Sequence, residues 1–319
     1  MAFSALFQTG FEHKNTLVFN GSAYAISTVV AKTGTTSIVL TNGGWCYWKV
    51  LPAQSELYFG CWVYFVYSDV NSAFTISFCE ASGGLEPISL YIKNHQVDLY
   101  VNNVLKASGS VYTPYSAWFN IQAHVIVSNT GLVETIIEGI SDITYNGDTL
   151  ITSNADIVSV RLDSYHTHYV DDICWGTGGW PGGRKYEKLT LNADHLAEWG
   201  TSSGTATHYT LVDEIPYVET DYVFTSGTAQ TDLYGHSGWD GANKIPTSMV
   251  EWLAIKKLEA DTSQIKFTIH EGADTLQSSA TDLNTSTQII GHSFTTAADG
   301  SALNEAHIDA TVFGMESVI

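Results

Sequence analysis

The run Tyr165-His166-Thr167-His168-Tyr169-Val170-Asp171-Asp172-Ile173-Cys174-Trp175 passes at once into Gly176-Thr177-Gly178-Gly179-Trp180-Pro181-Gly182-Gly183. Aromatic and β-branched residues suit the pleated surface of a strand, whereas the Gly/Pro segment is one that no regular element tolerates. A chain holding both is expected to divide there. Everything before the stretch reads as one sandwich and everything after it as another. The expected class is all-β, with two tandem antiparallel β-sandwich domains at residues 1–179 and 180–319. The junction is placed between Trp175 and Lys185, and a chain of 319 residues is long enough for two cores.

The segments before the junction have strand length and are punctuated by turn residues. Thr16–Phe19, Ala25–Val30 and Thr36–Leu40 are separated by Asn20-Gly21 and Thr33-Gly34, both turn signals. Glu56–Tyr67 is almost unbroken in apolar and aromatic residues and predicts a central strand buried on both faces. Asn102-Asn103 tolerates positive φ and predicts a tight hairpin between Leu99–Val101 and Val104-Leu105. Trp118–Val127 alternates, with Asn120, Gln122 and His124 on one face. In the second half Val250–Leu258 and Ile265–Ile269 read as strands, and Leu303–Ala310 as a short helical turn.

Only 14% of residues are charged, and the formal net charge is −20. Binding to a phosphate backbone draws on clustered Lys and Arg, so no nucleic-acid partner is expected. No apolar run is long enough to span a membrane, and Met1–Phe7 lacks the features of an export signal. Cys46, Cys61, Cys79 and Cys174 show no CxxC spacing and are expected as buried free thiols.

Several of these motifs together resemble a known architecture. The Leu99–Val104 hairpin, the Trp118 strand with its return strand, Tyr169-Val170-Asp171-Asp172-Ile173 and the early Gly10-Phe11-Glu12 are similar to a concanavalin-A-like lectin/glucanase, or laminin-G-like, jelly roll. The later run through His208–Pro216, Asp221–Thr225 and Asp232–Tyr234 resembles the C-terminal domains of tailed-bacteriophage virion structural proteins. The resemblance implies a non-enzymatic structural protein of the virion, displayed as a head-decoration or tail-associated subunit and assembled in the host cytoplasm. Its partners would be other virion proteins and further copies of itself. The alternative is a carbohydrate-binding module that recognises host-surface glycans.

Candidate site residues follow from the same reading. Trp45 and Tyr47 share a strand face opposite Trp48 and could stack on sugar rings. Phe3, Leu6 and Phe7 have no evident strand of their own to bury them and are expected as an assembly contact. His166, His168 and Asp172 share a face, but His166 and Asp172 lie about 20 Å apart along a strand, too far for one metal; a solvated face is expected. Asp171 and Asp172 should point to opposite faces, with one accepting backbone hydrogen bonds. A calcium ion near them is implied only by the laminin-G-like resemblance, and no other cofactor is expected. The Glu-x-Asp-x-(x)-Glu string of the glucanase branch is absent, as are a Gly-x-Ser-x-Gly elbow and a P-loop, so no enzyme is expected.

Overall fold

The computed structural model describes residues 4–9, 20–66, 72–80, 88–150, 156–182, 189–204, 207–213, 219–239, 246–258 and 263–318. The expected strand Thr16–Phe19, Phe3 and Gly10-Phe11-Glu12 lie outside them. The chain forms two compact units, Met1–Glu187 and Lys188–Ile319.

The first unit contains β1 (Ser4–Thr9), β2 (Asn20–Ser27), β3 (Ser37–Gln54), β4 (Glu56–Phe65), β5 (Ala73–Cys79), β6 (Ile88–Lys93) and β7 (Gln96–Val101). It continues with β8 (Val104–Ser108), β9 (Trp118–Ile126), β10 (Gly131–Ile137), β11 (Ile140–Gly147), β12 (Ile157–Ser164) and β13 (His168–Thr177). All pairings are antiparallel, in the order β11-β10-β9-β4-β13-β3-β12-β5-β6-β7-β8. The 18-residue β3 makes the corner: Ile38–Leu40 pairs with β13, and Gly44–Gln54 with β12. The path therefore folds back on itself as a β-sandwich of jelly-roll type. Its core is sealed by Phe59, Phe65, Phe74, Phe78 and Phe119 together with Trp48 and Trp175.

Several expectations are corrected here. Residues Ser4–Thr9 do have a strand: β1 pairs with β13, with Phe7 opposite Trp175, so the backbone of Leu6 and Phe7 belongs to this unit's own sheet. Asn20-Gly21 is not a turn but the start of β2. A Cβ on Gly21 would lie 2.1 Å from the Trp45 carbonyl oxygen, so glycine serves close strand approach there. β4 is central, between β9 and β13, yet its second face is only partly covered: Gly60 is buried there while Tyr58, Trp62 and Tyr64 remain partly open.

His168 opens β13 and is fully buried rather than solvated, with Phe65 at 4.4 Å, Phe74 at 6.0 Å and Ser72 Oγ 3.3 Å from its Nε2. Burial pushes its pKa down to about 3, which leaves the ring neutral. His166 lies before the strand, in the turn after β12. Asp172 has φ of 47° and forms a bulge against β4, so Asp171 and Asp172 do not point apart. Asp171 Oδ2 accepts from the Lys32 and Thr33 amides at 2.8 and 3.2 Å, while Asp172 Oδ1 accepts from Thr33 Oγ1 at 2.6 Å. Both aspartates therefore hold one loop. Burial first, then the charge of Asp172, raises the Asp171 pKa well above the carboxylate range.

The second unit contains β14 (Leu191–Ala197), β15 (Gly200–Thr201), β16 (Val223–Phe224), β17 (Thr231–His236), β18 (Met249–Ile255) and β19 (Gln264–Glu271). β20 (Asp274–Gln277), β21 (Thr281–Asp282), β22 (Gln288–Phe294), α1 (Glu305–Ala310) and β23 (Thr311–Val318) complete it. One sheet runs β14-β17-β23-β19-β20, and β18 pairs with β22 separately. Phe267 of the first stacks on His292 of the second at 5.7 Å. Asp232 is a buried hub: Oδ1 accepts from the Glu198 and Trp199 amides, and Oδ2 from His208 Nδ1 at 2.7 Å and the Tyr234 hydroxyl at 3.1 Å.

Candidate functional site

On the outer face of the first unit, β4 and β9 set Tyr58 opposite His124, Gly60 opposite Gln122, Trp62 opposite Asn120 and Tyr64 opposite Trp118. Phe59, Cys61, Val63, Phe119, Ile121 and Ala123 alternate with them and fill the core. β10 adds Glu134 opposite His124. The strand whose sequence promised a polar face thus receives aromatic neighbours on one side and an acid on the other.

The His124 ring lies on Tyr58 with centroids 4.0 Å apart and planes within 5°. Trp180 stands edge-on to both, at 5.6 Å from Tyr58 and 6.0 Å from His124. Nε2 of His124 is 2.9 Å from Glu56 Oε1, and Nδ1 is 3.1 Å from Glu134 Oε2. The imidazole edge is enclosed, whereas the Glu56 and Glu134 side chains are 49% and 34% exposed. Partial burial first, then the charge and hydrogen bond of Glu56, raises the Tyr58 pKa.

The segment carrying Trp180 is clamped to the sheet rather than acting as a free hinge. Asn120 Nδ2 donates to the Cys61 carbonyl at 3.1 Å, Gln122 Nε2 to Asn120 Oδ1 at 2.8 Å, and the Gly182 amide to Gln122 Oε1 at 2.8 Å. A Cβ on Gly60 would lie 2.9 Å from Pro181 Cγ, so the bare glycine makes the seat for the proline. Asn120 and Gln122 thus spend these groups inside the protein. The groups that stay partly open are Tyr58, Trp180, Glu56 and Glu134, and the His124 ring among them is buried. Farther along the face, Lys32 Nζ sits 3.7 Å over the Trp62 ring, and Tyr64 packs on Trp118 and Tyr169.

Trp45 and Tyr47 lie on the outer face of the opposite layer, half-buried and stacked at 5.9 Å, while Trp48 enters the core edge-on to Trp175. The Arg161 guanidinium lies 5.0 Å from the Trp45 ring centroid and bonds Asp163 at 2.6 Å, so one flank of that platform is occupied. The structure does not bring Trp45 and Tyr47 together with the His124 group. Cys46, Cys61, Cys79 and Cys174 are buried free thiols. Among the described residues no group of three or more His, Cys, Asp or Glu is placed to hold a metal ion, and no helix is long and apolar enough to cross a membrane.

No protein-family model and no curated protein matches the chain. Several solved structures align with about half of the chain. An endo-β-1,4-glucuronan lyase from Trichoderma reesei aligns with TM-score 0.44 and 13% identity, over 55% of this chain and 96% of its own. The conserved carbohydrate esterase of Shiga toxin-encoding bacteriophage phi24B aligns with TM-score 0.42 and 10% identity, over 56% and 100%. A carbohydrate-binding module from Bacillus subtilis aligns with TM-score 0.36 and 7% identity, over 50% and 98%. By name these neighbours are two carbohydrate-active enzymes and a carbohydrate-binding module. The expectation that the chain is not an enzyme is corrected on this finding, since a lyase and an esterase stand among them. It rested on the absence of the Glu-x-Asp-x-(x)-Glu string, of a Gly-x-Ser-x-Gly elbow and of a P-loop, and each such absence excludes only its own chemistry.

Proposed function

We propose that the first unit binds carbohydrate on the Tyr58–His124–Trp180 face and that the chain is a glycan-recognising component of a tailed-phage particle. The observation that carries the binding reading is the ring stack flanked by two half-open carboxylates. A pyranose offers an apolar C–H face to an aromatic ring and hydroxyl donors to carboxylate oxygens, and this group supplies both partners. Glu56 and Glu134 favour a neutral or amine-bearing sugar over a uronate, because like charges oppose one another at close range. The particle assignment is supported by the sequence resemblance in both halves of the chain. Trp45 and Tyr47 form a second, separate platform.

A glycan array probed with the full chain tests the binding reading. Binding is expected to fall about tenfold or more in Tyr58→Ala, in the range of one lost aromatic stacking contact, while Trp45→Ala leaves it unchanged. A full array with no signal overturns the binding reading. Mass spectrometry of purified particles tests the second part, and absence of the chain from the virion overturns it.

A further inference from the structure

Three side chains of the second unit, from separate elements, meet in series. Ser301 lies on the exposed turn after Gly300, His307 on α1, and Glu271 closes β19. Ser301 Oγ is 3.1 Å from His307 Nε2, and His307 Nδ1 is 2.6 Å from Glu271 Oε1. Each position is fixed by its own backbone. Glu271 pairs with Thr311, the His307 amide donates to Asn304 Oδ1 at 3.0 Å, and the Thr311 hydroxyl donates to the His307 carbonyl at 2.7 Å. The Ser301 amide donates to Asp299 Oδ1 at 2.8 Å.

We propose that Ser301, His307 and Glu271 act as nucleophile, general base and positioning acid in the hydrolysis of small, exposed acyl esters. The geometry meets the requirement of such a relay: nucleophile and base lie within hydrogen-bond reach, and the base is oriented by a third group. The short bond from Nδ1–H to Glu271 leaves the Nε2 lone pair facing the serine hydroxyl. Oγ attacks the ester carbonyl carbon as its proton passes to Nε2. The bond to the leaving alcohol then breaks, and that alcohol takes the proton from Nε2. Water attacks the acyl-serine, gives a proton to Nε2 and releases the carboxylic acid, and Oγ recovers its proton as the serine leaves. No oxidant, reductant or metal enters the balance.

The surroundings set the substrate and the speed. Ser301 stands on an exposed turn, so a small acyl ester can reach its hydroxyl from solvent. Its amide is taken by Asp299, and its hydroxyl bonds the same carboxylate, which together hold the Asp299 pKa below the usual carboxylate value, so the hydroxyl must turn from Asp299 to Nε2 before it attacks. That amide is therefore not offered to a developing oxyanion, and one missing donor of this kind slows the reaction about 10²–10³-fold. Turnover is accordingly slow, and the acyl-serine is the species to look for.

The test is incubation of the full chain with p-nitrophenyl acetate, followed by peptide mapping. The acetyl group is expected on Ser301 in preference to other serines, and nitrophenol release is expected to be lost in Ser301→Ala. It should fall about 10²-fold or more in His307→Gln. Glu271→Gln should lower kcat while KM stays unchanged, and Glu271→Asp should restore part of the loss, because the imidazole depends on a carboxylate acceptor for its orientation. Melting curves establish that the variants are folded; if any is not, the acetyl map of the parent chain decides alone. Acetyl spread over lysines and histidines without Ser301, or undiminished hydrolysis by folded Ser301→Ala, overturns the proposal and leaves the trio as a tether between turn and helix.

Discussion

The two units hold themselves together differently. In the first, large aromatic side chains are closed off almost completely: Phe59, Phe74, Phe78 and Phe119 are at 0% exposure. In the second, Trp199, Leu283 and Phe313 each retain 8%, and the buried carboxylate of Asp232 gathers two amides, an imidazole and a phenol. A shorter chain buries a smaller fraction of its surface, so specific polar bonds take on more of the structural task. Each unit also buries a histidine, in contrasting ways. His168 is neutral among phenylalanines, and His208 is paired with an acid.

The largest effect is expected from Asp232→Ala, which strands four buried or half-buried donors at once. Breaking such a network costs about 3–5 kcal/mol, and denaturant unfolding followed by fluorescence should show the second unit melting early while the first is unmoved. Equal destabilisation of both units would erase the contrast.

His168 gives the next effect, through pH. Its folded pKa of about 3 lies below the unfolded value of 6.5, so the unfolded chain takes up the proton first. The stability contribution is complete above the unfolded pKa and is lost as pH falls toward the folded one. At about 1.4 kcal/mol per unit, the first unit should lose roughly 3 kcal/mol between pH 6.5 and pH 4. His168→Leu should flatten that slope, and an unchanged slope would assign it to other groups.

Gly60→Ala probes the smallest difference, between the clamped Trp180 segment and the sheet beneath. The new methyl group meets Pro181, and overpacking of this kind costs about 1–2 kcal/mol. Glycan binding should weaken more than stability does, and intact binding would detach Trp180 from the site.

Much of the first unit was legible because its signals are local. Asn102 and Asn103 take φ of 55° and 58° in the hairpin that their identity promised, and Asn120, Gln122 and His124 do share one strand face, although both faces of Trp118–Ile126 are buried. The site was half legible. His124 stood on a visibly polar face, but Glu56 lies 68 residues away along the chain, and only strand register brings the two together. Nor does alternation say which side of a strand is core, so His168 looked as solvent-facing as any histidine. The bulge at Asp172 has the same origin: it is forced by pairing with β4 and has no signature among its own neighbours.

The placement of β13 also governs how the protein comes into being. This strand joins β1, β3 and β4, all made far earlier, and it is the last of the first unit to be synthesised. At about 5–20 residues per second, roughly 5–20 s pass between the emergence of Phe65 and that of Thr177. Throughout that interval the apolar edge of β4 has no permanent neighbour on one side. The nascent chain is then exposed to sticking to its own kind, most of all where several ribosomes follow one another along one message.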